Sequence, residues 1–449
     1  MSFGKEFAWG AATASYQIEG AAYEDGKGKS IWDEFCERDG MVYEGHTGEV
    51  ACDHYHRFRE DVALMKKLGL RAYRFSLSWP RILPDGIGKV NEAGISFYNR
   101  LIDALLEAGI EPFITLYHWD LPLVLQEKGG WENPEIKDWF AEYAGVVASR
   151  FSDRVKNFIT INEPQCVIGI GYGSGIHAPG LKLPQRELVR AAHNLLCAHG
   201  AAVRAMREKG ASDIKISYAP TGTGAYPHTE TEADREAARQ KLFEVPPYWD
   251  WAFSWFADPV LLGKYPSDGL AFLEQDLPDG WQADMELISE PLDFLCLNLY
   301  NGKEYHMTEN GAEEIPRYVG FPHTANNWPV TPEALGFTVQ CLDERYHLPI
   351  YISENGIACP DVVSLDGKVH DPERIDFTHR YLLELKKAMD AGADVRGYFH
   401  WSLMDNFEWQ RGYFDRFGLI YVDYRTGGRI IKDSGYWYRS VIESDGANL

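Results

Sequence analysis

The feature that most constrains this chain is an alternation repeated eight times. Short β-branched or aromatic runs fall at 7–12, 72–77, 112–116, 157–161, 214–218, 294–299, 350–353 and 397–401, and amphipathic helical segments separate them. Between the first two runs, Tyr55, Phe58, Val62, Met65 and Leu68 recur at helical spacing with charged residues between them, which is one buried stripe. After the second run Ile95, Tyr98, Leu101, Ile102 and Leu105 repeat the pattern, and Gly109 ends the helix. Strands that alternate with helices pair in parallel, because each helix carries the chain back to the starting edge of the sheet. Eight such units predict an α/β fold in the form of a closed (β/α)8 TIM barrel. An open doubly wound sheet is the alternative, but the GxGxxG turn it needs is missing after the first strand. A length of 449 residues suits several domains by length alone, yet such barrels absorb this much chain as one unit. A single domain spanning 1–449 is therefore expected.

In a barrel of this type the chemistry sits where the strands end. Gln17 follows the first run and Arg74 lies within the second. His118 and Trp119 follow the third, Asn162 and Glu163 the fourth, Tyr300 the sixth, Glu354 the seventh, and Trp401 closes the eighth. A purely structural barrel needs only turn formers at these places. Polar and aromatic side chains gathered at one rim predict a shared site.

Two of these residues are glutamates, Glu163 in TINEP and Glu354 in ISENG. Breaking a glycosidic bond takes an acid for the leaving oxygen and a carboxylate facing the anomeric carbon. Each glutamate alone could equally cap a helix or sit in a turn. Together, beside aromatic faces and mixed donors and acceptors, they point to carbohydrate cleavage. Gln17, His118, Asn162 and Glu408 offer the donors and acceptors that sugar hydroxyls require. Trp401 and Trp409 offer flat apolar faces. Were Arg74 and Tyr300 to meet Glu354 at this rim, they would keep it ionised, and an ionised Glu354 would hold a proton on Glu163.

Composition narrows the partners. With 45% hydrophobic and 25% charged residues the chain can bury a large core. Its net charge of −23 excludes a polyanion or an anionic membrane surface as partner, while a neutral sugar is indifferent to it. The first residues show no basic segment leading into an apolar one, and no apolar run is long enough to span a bilayer. The seven cysteines are scattered and never spaced as CxxC, so a reduced, cytoplasmic protein is expected, with no metal site.

Long motifs in a fixed order carry a resemblance. FAWGAATASYQIEGA near the start, then YRFSLSWPRILP, YHWDLP, TINEP, ISENG and WSLMDNFEWQRGYFDRFGLIYVD resemble glycoside hydrolase family 1, the β-glucosidase family, over essentially the whole chain. The resemblance implies a (β/α)8 barrel, retention of anomeric configuration and no cofactor. It implies Glu163 as acid/base and Glu354 as nucleophile. Gln17, His118, Asn162, Glu408 and Trp409 match the residues that hold the non-reducing sugar, with Trp401 as stacking platform and Trp119 beside them. Arg74 and Tyr300 match the partners of the nucleophile, and Trp328 resembles the aromatic wall on the aglycone side. The substrates so implied are terminal β-D-glucosyl residues of cello-oligosaccharides and aryl glucosides, with β-galactosides and β-fucosides as secondary ones. Aglycone, chain length and oligomeric state stay open.

Some residues depart from the family pattern or carry weaker signals. Gln165 stands where Trp is frequent and Thr221 where Asn is frequent, which puts aglycone stacking in question. His193 and His199 read as structural, His54 and His56 as solvated or capping at the start of the first outer helix, and His177 as loop or substrate contact. Glu19 is assigned no chemistry, and Cys166 no nucleophilic role. Two other functions compete. A 6-phospho-β-glycosidase would replace the Glu408-Trp409 pair with a serine- and lysine-containing phosphate site, and the charge of Glu408 would repel phosphate. A noncatalytic sugar-binding barrel would lack one of the two glutamates.

Overall fold

A computed structural model describes residues 2–449. Eight parallel strands form the central sheet: β1 Ala8–Thr13, β2 Ala72–Ser76, β3 Glu111–Tyr117, β4 Asn157–Asn162, β5 Lys215–Ala219, β6 Leu295–Asn298, β7 Ile350–Asn355 and β8 Val395–Trp401. Each was expected from the sequence to within two residues at either end. The hydrogen-bonded order is β5-β4-β3-β2-β1-β8-β7-β6. The seam between β5 and β6 is closed by Asp293 N donating to Ile216 O at 3.0 Å and by Cys296 N donating to Ser217 Oγ at 3.1 Å. The sheet is thus a nearly closed barrel. Two carboxyl-end residues lie inside their strands rather than after them, Asn162 in β4 and Glu354 in β7.

Helices cover the outside for the reasons the periodicity gives. Helix Glu92–Glu107 starts at Asn91, whose side chain accepts from Ala93 N, and it buries Ile95, Tyr98, Leu101, Ile102 and Leu105. Gly109 then takes a φ of 77°, which lets the chain turn into β3. Helix His54–Lys67 buries Tyr55, Phe58, Val62 and Met65 along the predicted stripe. The lower barrel is filled by rings: Phe113 lies 5.0 Å from Phe399, 5.5 Å from Tyr351 and 6.4 Å from Phe294 between centroids. Gly10 makes room for this plug, since a Cβ there would stand 2.5 Å from the Phe399 ring.

Three additions lie outside the strand–helix rhythm and were not expected. Four helices between Glu232 and Ile288 fill the β5–β6 connection. A small sheet of Gly224–Pro227, Gly302–Thr308 and Gly311–Glu314 lies beside them, and a hairpin of Ile420–Asp423 and Gly428–Ile431 follows β8. No helix among the described residues is long and apolar enough to cross a membrane.

Candidate active site

At the carboxyl ends of the strands lies a cavity of about 560 Å³ whose walls include His118, Trp119, Glu163, Tyr300, Trp328, Glu354, Trp401, Glu408 and Trp409. A hollow of about 680 Å³ opens at the other end of the barrel, but Lys5, Glu6 and Arg396, among the charged residues lining it, are exposed and solvated.

Glu354 is held from two sides. Arg74 Nη1 donates to its Oε1 at 2.6 Å and the Tyr300 hydroxyl to its Oε2 at 2.7 Å. Arg74 is itself fixed, with Nε on Thr115 Oγ1 at 3.1 Å and Nη2 on Asn162 Oδ1 at 2.5 Å. Tyr300 is anchored by its carbonyl, which accepts from the Tyr381 hydroxyl at 2.8 Å. Gly356 lets β7 end hard against β8, because a Cβ there would meet Trp401 O at 1.8 Å.

Glu163 directly follows β4 with a φ of 44°, a left-handed backbone that is uncommon for a residue other than glycine. Its N–H donates to Ala219 O at 2.7 Å. Trp119 and Trp409 share this unusual geometry, with φ of 75° and 50°. Asn298 Nδ2 donates to Glu163 Oε1 at 2.8 Å and the Cys166 thiol to Oε2 at 2.9 Å.

Burial, with the nearby charge of Glu354, pushes the Glu163 carboxyl up to about 7. Burial also pushes Glu354 above its ordinary value, against the downward pull of Arg74 and the Tyr300 hydroxyl. The expected ionising effect of these two partners is therefore present but offset by desolvation. The charge of one carboxyl disfavours ionisation of the other, and the guanidinium bonded to Glu354 favours the charge there and the proton on Glu163.

Of the predicted sugar-holding residues, His118, Trp401, Glu408 and Trp409 line the same cavity, and Asn162 and Gln17 lie against His118 and Glu408. Asn162 Nδ2 lies 3.0 Å from His118 Nε2, and Trp119 Nε1 donates to Asn162 O at 3.0 Å. Burial, aided by Arg74, holds His118 well below its ordinary value, so it is neutral. Gln17 Nε2 donates to Asn406 Oδ1 at 3.0 Å and to Phe407 O at 2.8 Å, and it lies 3.4 Å from Glu408 Oε2. Gln17 Oε1 and His118 Nδ1 are buried without a protein partner, as suits groups that meet ligand hydroxyls. The Trp119 and Trp409 rings lie 4.5 Å apart, and His118 stacks within 6 Å of Trp401. Trp328 packs on Tyr300 at 5.1 Å.

Two expectations, the charge of Glu408 and the solvation of His54, are corrected, and the other weaker signals are placed. Burial, then Asp415, Glu354 and Glu163, pushes Glu408 up to about 8, so its carboxyl is largely protonated near neutral pH in the free protein. A fixed charge on Glu408 is therefore a weak ground for excluding phosphate. Gln165 is not among the residues lining the cavity. It is buried, and its amide brackets Thr221, donating to Thr221 O at 2.7 Å and accepting from Thr221 N at 3.2 Å. The two departures from the family pattern thus contact each other. His54 is not solvated but buried against Asp61 at 2.7 Å, whereas exposed His56 bonds Asp53 at 2.6 Å. Glu19 pairs with Arg81 at 2.9 Å and accepts from Tyr98 at 2.6 Å. His199 bonds Thr160 at 2.7 Å, and His177 lines the cavity beside Gln410 at 2.5 Å.

Asn298 and Cys166 were not singled out as site residues. Asn298 is the last residue of β6, a position that signals proximity to the rim, but only distance shows that both it and Cys166 touch Glu163. Among the described residues, one group has donors spaced for a metal: His193, Cys197 and Asp284, within 4.8 Å of one another. Both nitrogens of His193 already have partners in Tyr265 and Asp284, and the trio lies apart from the cavity walls.

Comparison with known proteins decides the family. The model described as glycosyl hydrolase family 1 matches residues 1–447. The chain belongs to that family. It is 48% identical to Beta-glucosidase A of Thermotoga maritima, over 99% of this chain and 98% of the relative. It is 44% identical to Beta-glucosidase A of Acetivibrio thermocellus, over 99% of both. The solved structure of the Thermotoga maritima β-glucosidase in complex with glucoimidazole superposes with a TM-score of 0.91 at 47% identity, over 99% of each chain. The same enzyme is known in complex with galacto-hydroximolactam, again with a TM-score of 0.91. Within family 1, the paired glutamates and the aromatic walls described above form one constellation at the barrel mouth.

Proposed function

We propose that this family 1 glycosidase is a retaining β-glucosidase that removes terminal non-reducing β-D-glucosyl residues through a covalent glycosyl-enzyme intermediate. The observation that carries the reading is the asymmetric pair: Glu354 clamped by Arg74 and Tyr300, facing Glu163 pushed up to about 7. Glu354 is the nucleophile. Its carboxylate attacks C1 while Glu163 protonates the leaving oxygen, and the glycosidic bond breaks. Forming the ester removes the charge of Glu354, which lowers the proton affinity of Glu163. Glu163 then takes a proton from water, and the incoming oxygen displaces Glu354 from C1. The configuration inverts twice and is retained.

Gln17, His118, Asn162, Glu408 and Trp409 hold the glucosyl hydroxyls, Trp401 lies under the ring, and Trp119 and Trp328 line the flanks. A site that pairs each hydroxyl rejects a sugar that misplaces one. The gluco- and galacto-configured ligands bound by the Thermotoga maritima relative support β-galactosides and β-fucosides as secondary substrates. Cello-oligosaccharides and aryl β-glucosides are the primary substrates, residues 1–449 act as one catalytic domain, and the reaction uses neither metal nor cofactor. Seven unpaired, buried cysteines suit a reducing compartment such as the cytoplasm.

An aryl β-glucoside assayed beside its 6-phosphate tests the substrate class, with the first-formed glucose anomer read by proton NMR. The reading requires a higher kcat/KM for the neutral glucoside and β-glucose first. Preference for the 6-phosphate, or α-glucose first, would overturn it.

A further inference from the structure

The two oxygens of Glu163 have different neighbours, and those neighbours decide where its proton resides. Arg74 can only donate, so Asn162 Oδ1 at 2.5 Å is an acceptor. The same oxygen accepts from Asn298 Nδ2 at 2.9 Å, while Ser353 Oγ donates to Asn298 Oδ1 at 2.6 Å. The Asn298 amide is thereby fixed with its NH2 toward Glu163, where it donates to Oε1 at 2.8 Å. An amide N–H cannot accept, so a proton on Oε1 pointing at it would be repelled. Oε2 instead faces Cys166 Sγ at 2.9 Å, and a thiol can both donate and accept. Cys166 begins the helical segment Cys166–Ser174 directly after the strained turn at Glu163, and it lines the cavity.

We propose that the proton delivered to the leaving group sits on Oε2 of Glu163, and that Cys166 is the positioning residue that follows it. The proposal rests on the acid/base reading of Glu163. When Oε2 gives its proton to the leaving oxygen, that oxygen keeps the electron pair of the broken C1–O bond and C1 bonds to Glu354. The bare Oε2 then accepts the Cys166 S–H. In the second half, Oε2 takes a proton from water, the remaining oxygen bonds C1, and the ester to Glu354 breaks. The thiol then turns its hydrogen away. Sulfur forms no bond and changes no oxidation state. Burial, with the adjacent Glu163, pushes the thiol well above its ordinary value, so it keeps its hydrogen throughout.

The other groups acting on Glu163 are Glu354 on β7 and Arg74 on β2, with Tyr300 and Glu408 across the cavity. None of them is altered by changing Cys166. A donor to a carboxylate favours its ionised form, so removing the thiol raises the affinity of Glu163 for its proton.

The test compares Cys166→Ala, Cys166→Ser and Glu163→Gln on an alkyl and a dinitrophenyl β-glucoside across pH. Cys166→Ala should lose about tenfold in kcat/KM on the alkyl glucoside and less than about twofold on the dinitrophenyl one, the size of one hydrogen bond to a charged group. Its basic limb should move to higher pH, and Cys166→Ser, which restores a donor, should recover both. Equal losses on the two substrates, an unmoved basic limb in Cys166→Ala, or no recovery in Cys166→Ser would overturn the thiol's role. Glu163→Gln should abolish the basic limb whatever Cys166 does. Survival of the limb in that variant would strike the acid/base reading itself.

Discussion

Glu163 and Glu354 are chemically identical residues made different by their neighbours. Arg74 and Tyr300 touch one, Asn298 and Cys166 the other. Productive attack needs Glu354 ionised and Glu163 protonated. kcat/KM should therefore be bell-shaped in pH, falling on the basic side as Glu163 ionises near 7, and on the acid side as Glu354 takes up a proton. Glu163→Gln should spare a dinitrophenyl glucoside in the glycosylation step while slowing poor leaving groups by roughly 10²–10⁴-fold. An equal loss across leaving groups would argue against the assignment. Glu408→Ser should weaken use of the neutral glucoside and improve relative use of the 6-phosphate. With Glu408 pushed up to about 8, that gain comes from removing bulk and hydroxyl contacts more than charge, so it should persist at pH 6. A gain confined to pH above 8 would restore charge repulsion as the cause. At this scale, residues at strand ends were legible because position alone brings them to the rim. Asn298, Cys166 and the Gln165–Thr221 contact were not, because hydrogen-bond partners far apart in sequence leave no periodic trace.

Between residues and molecule, the elements that hold the site are tied by buried charge. Lys432, ahead of helix Asp433–Glu443, reaches Asp361 and Asp405 at 2.6 Å each. Asp361 also binds Arg374 at 2.7 Å, and Asp405 binds Arg416 at 2.6 Å. Asp405 leads directly into Asn406, Phe407 and Glu408, so this network fixes the loop that presents Glu408 and Trp409. Lys432→Met leaves part of the buried charge of Asp361 and Asp405 without its partner. It should cost about 3–5 kcal/mol of stability, read as a lower melting temperature, and should raise KM for glucosides. An unchanged melting temperature would mean that Arg374 and Arg416 suffice. The eight strands and the two outer helices were legible because their hydrophobic periods are unbroken. The network was not, since its charged residues come from three separate connections: β7 to β8, the loop after β8, and the step into the last helix. The small sheet was also missed, because Lys303, Glu304, Glu313 and Glu314 give its short strands a polar, half-exposed character that resembles a loop.

The whole molecule carries a net charge of −23, yet its candidate substrate is neutral. Electrostatic steering acts on charged ligands, so kcat/KM for an aryl glucoside should stay within about twofold as salt rises through the range that screens surface charge. A steep salt dependence would show that surface charge controls access to the cavity. The barrel brings β4 and β7, nearly two hundred residues apart, to one rim, and on this the whole reading depends. The decisive measurement is to trap the intermediate. A 2-deoxy-2-fluoro-β-glucoside with a dinitrophenyl leaving group should inactivate the protein with release of one equivalent of phenolate. Mass spectrometry of the digested protein should then place the fluoroglucosyl group on Glu354. Label on any other residue, or steady turnover with no labelled peptide, would contradict Glu354 as the nucleophile.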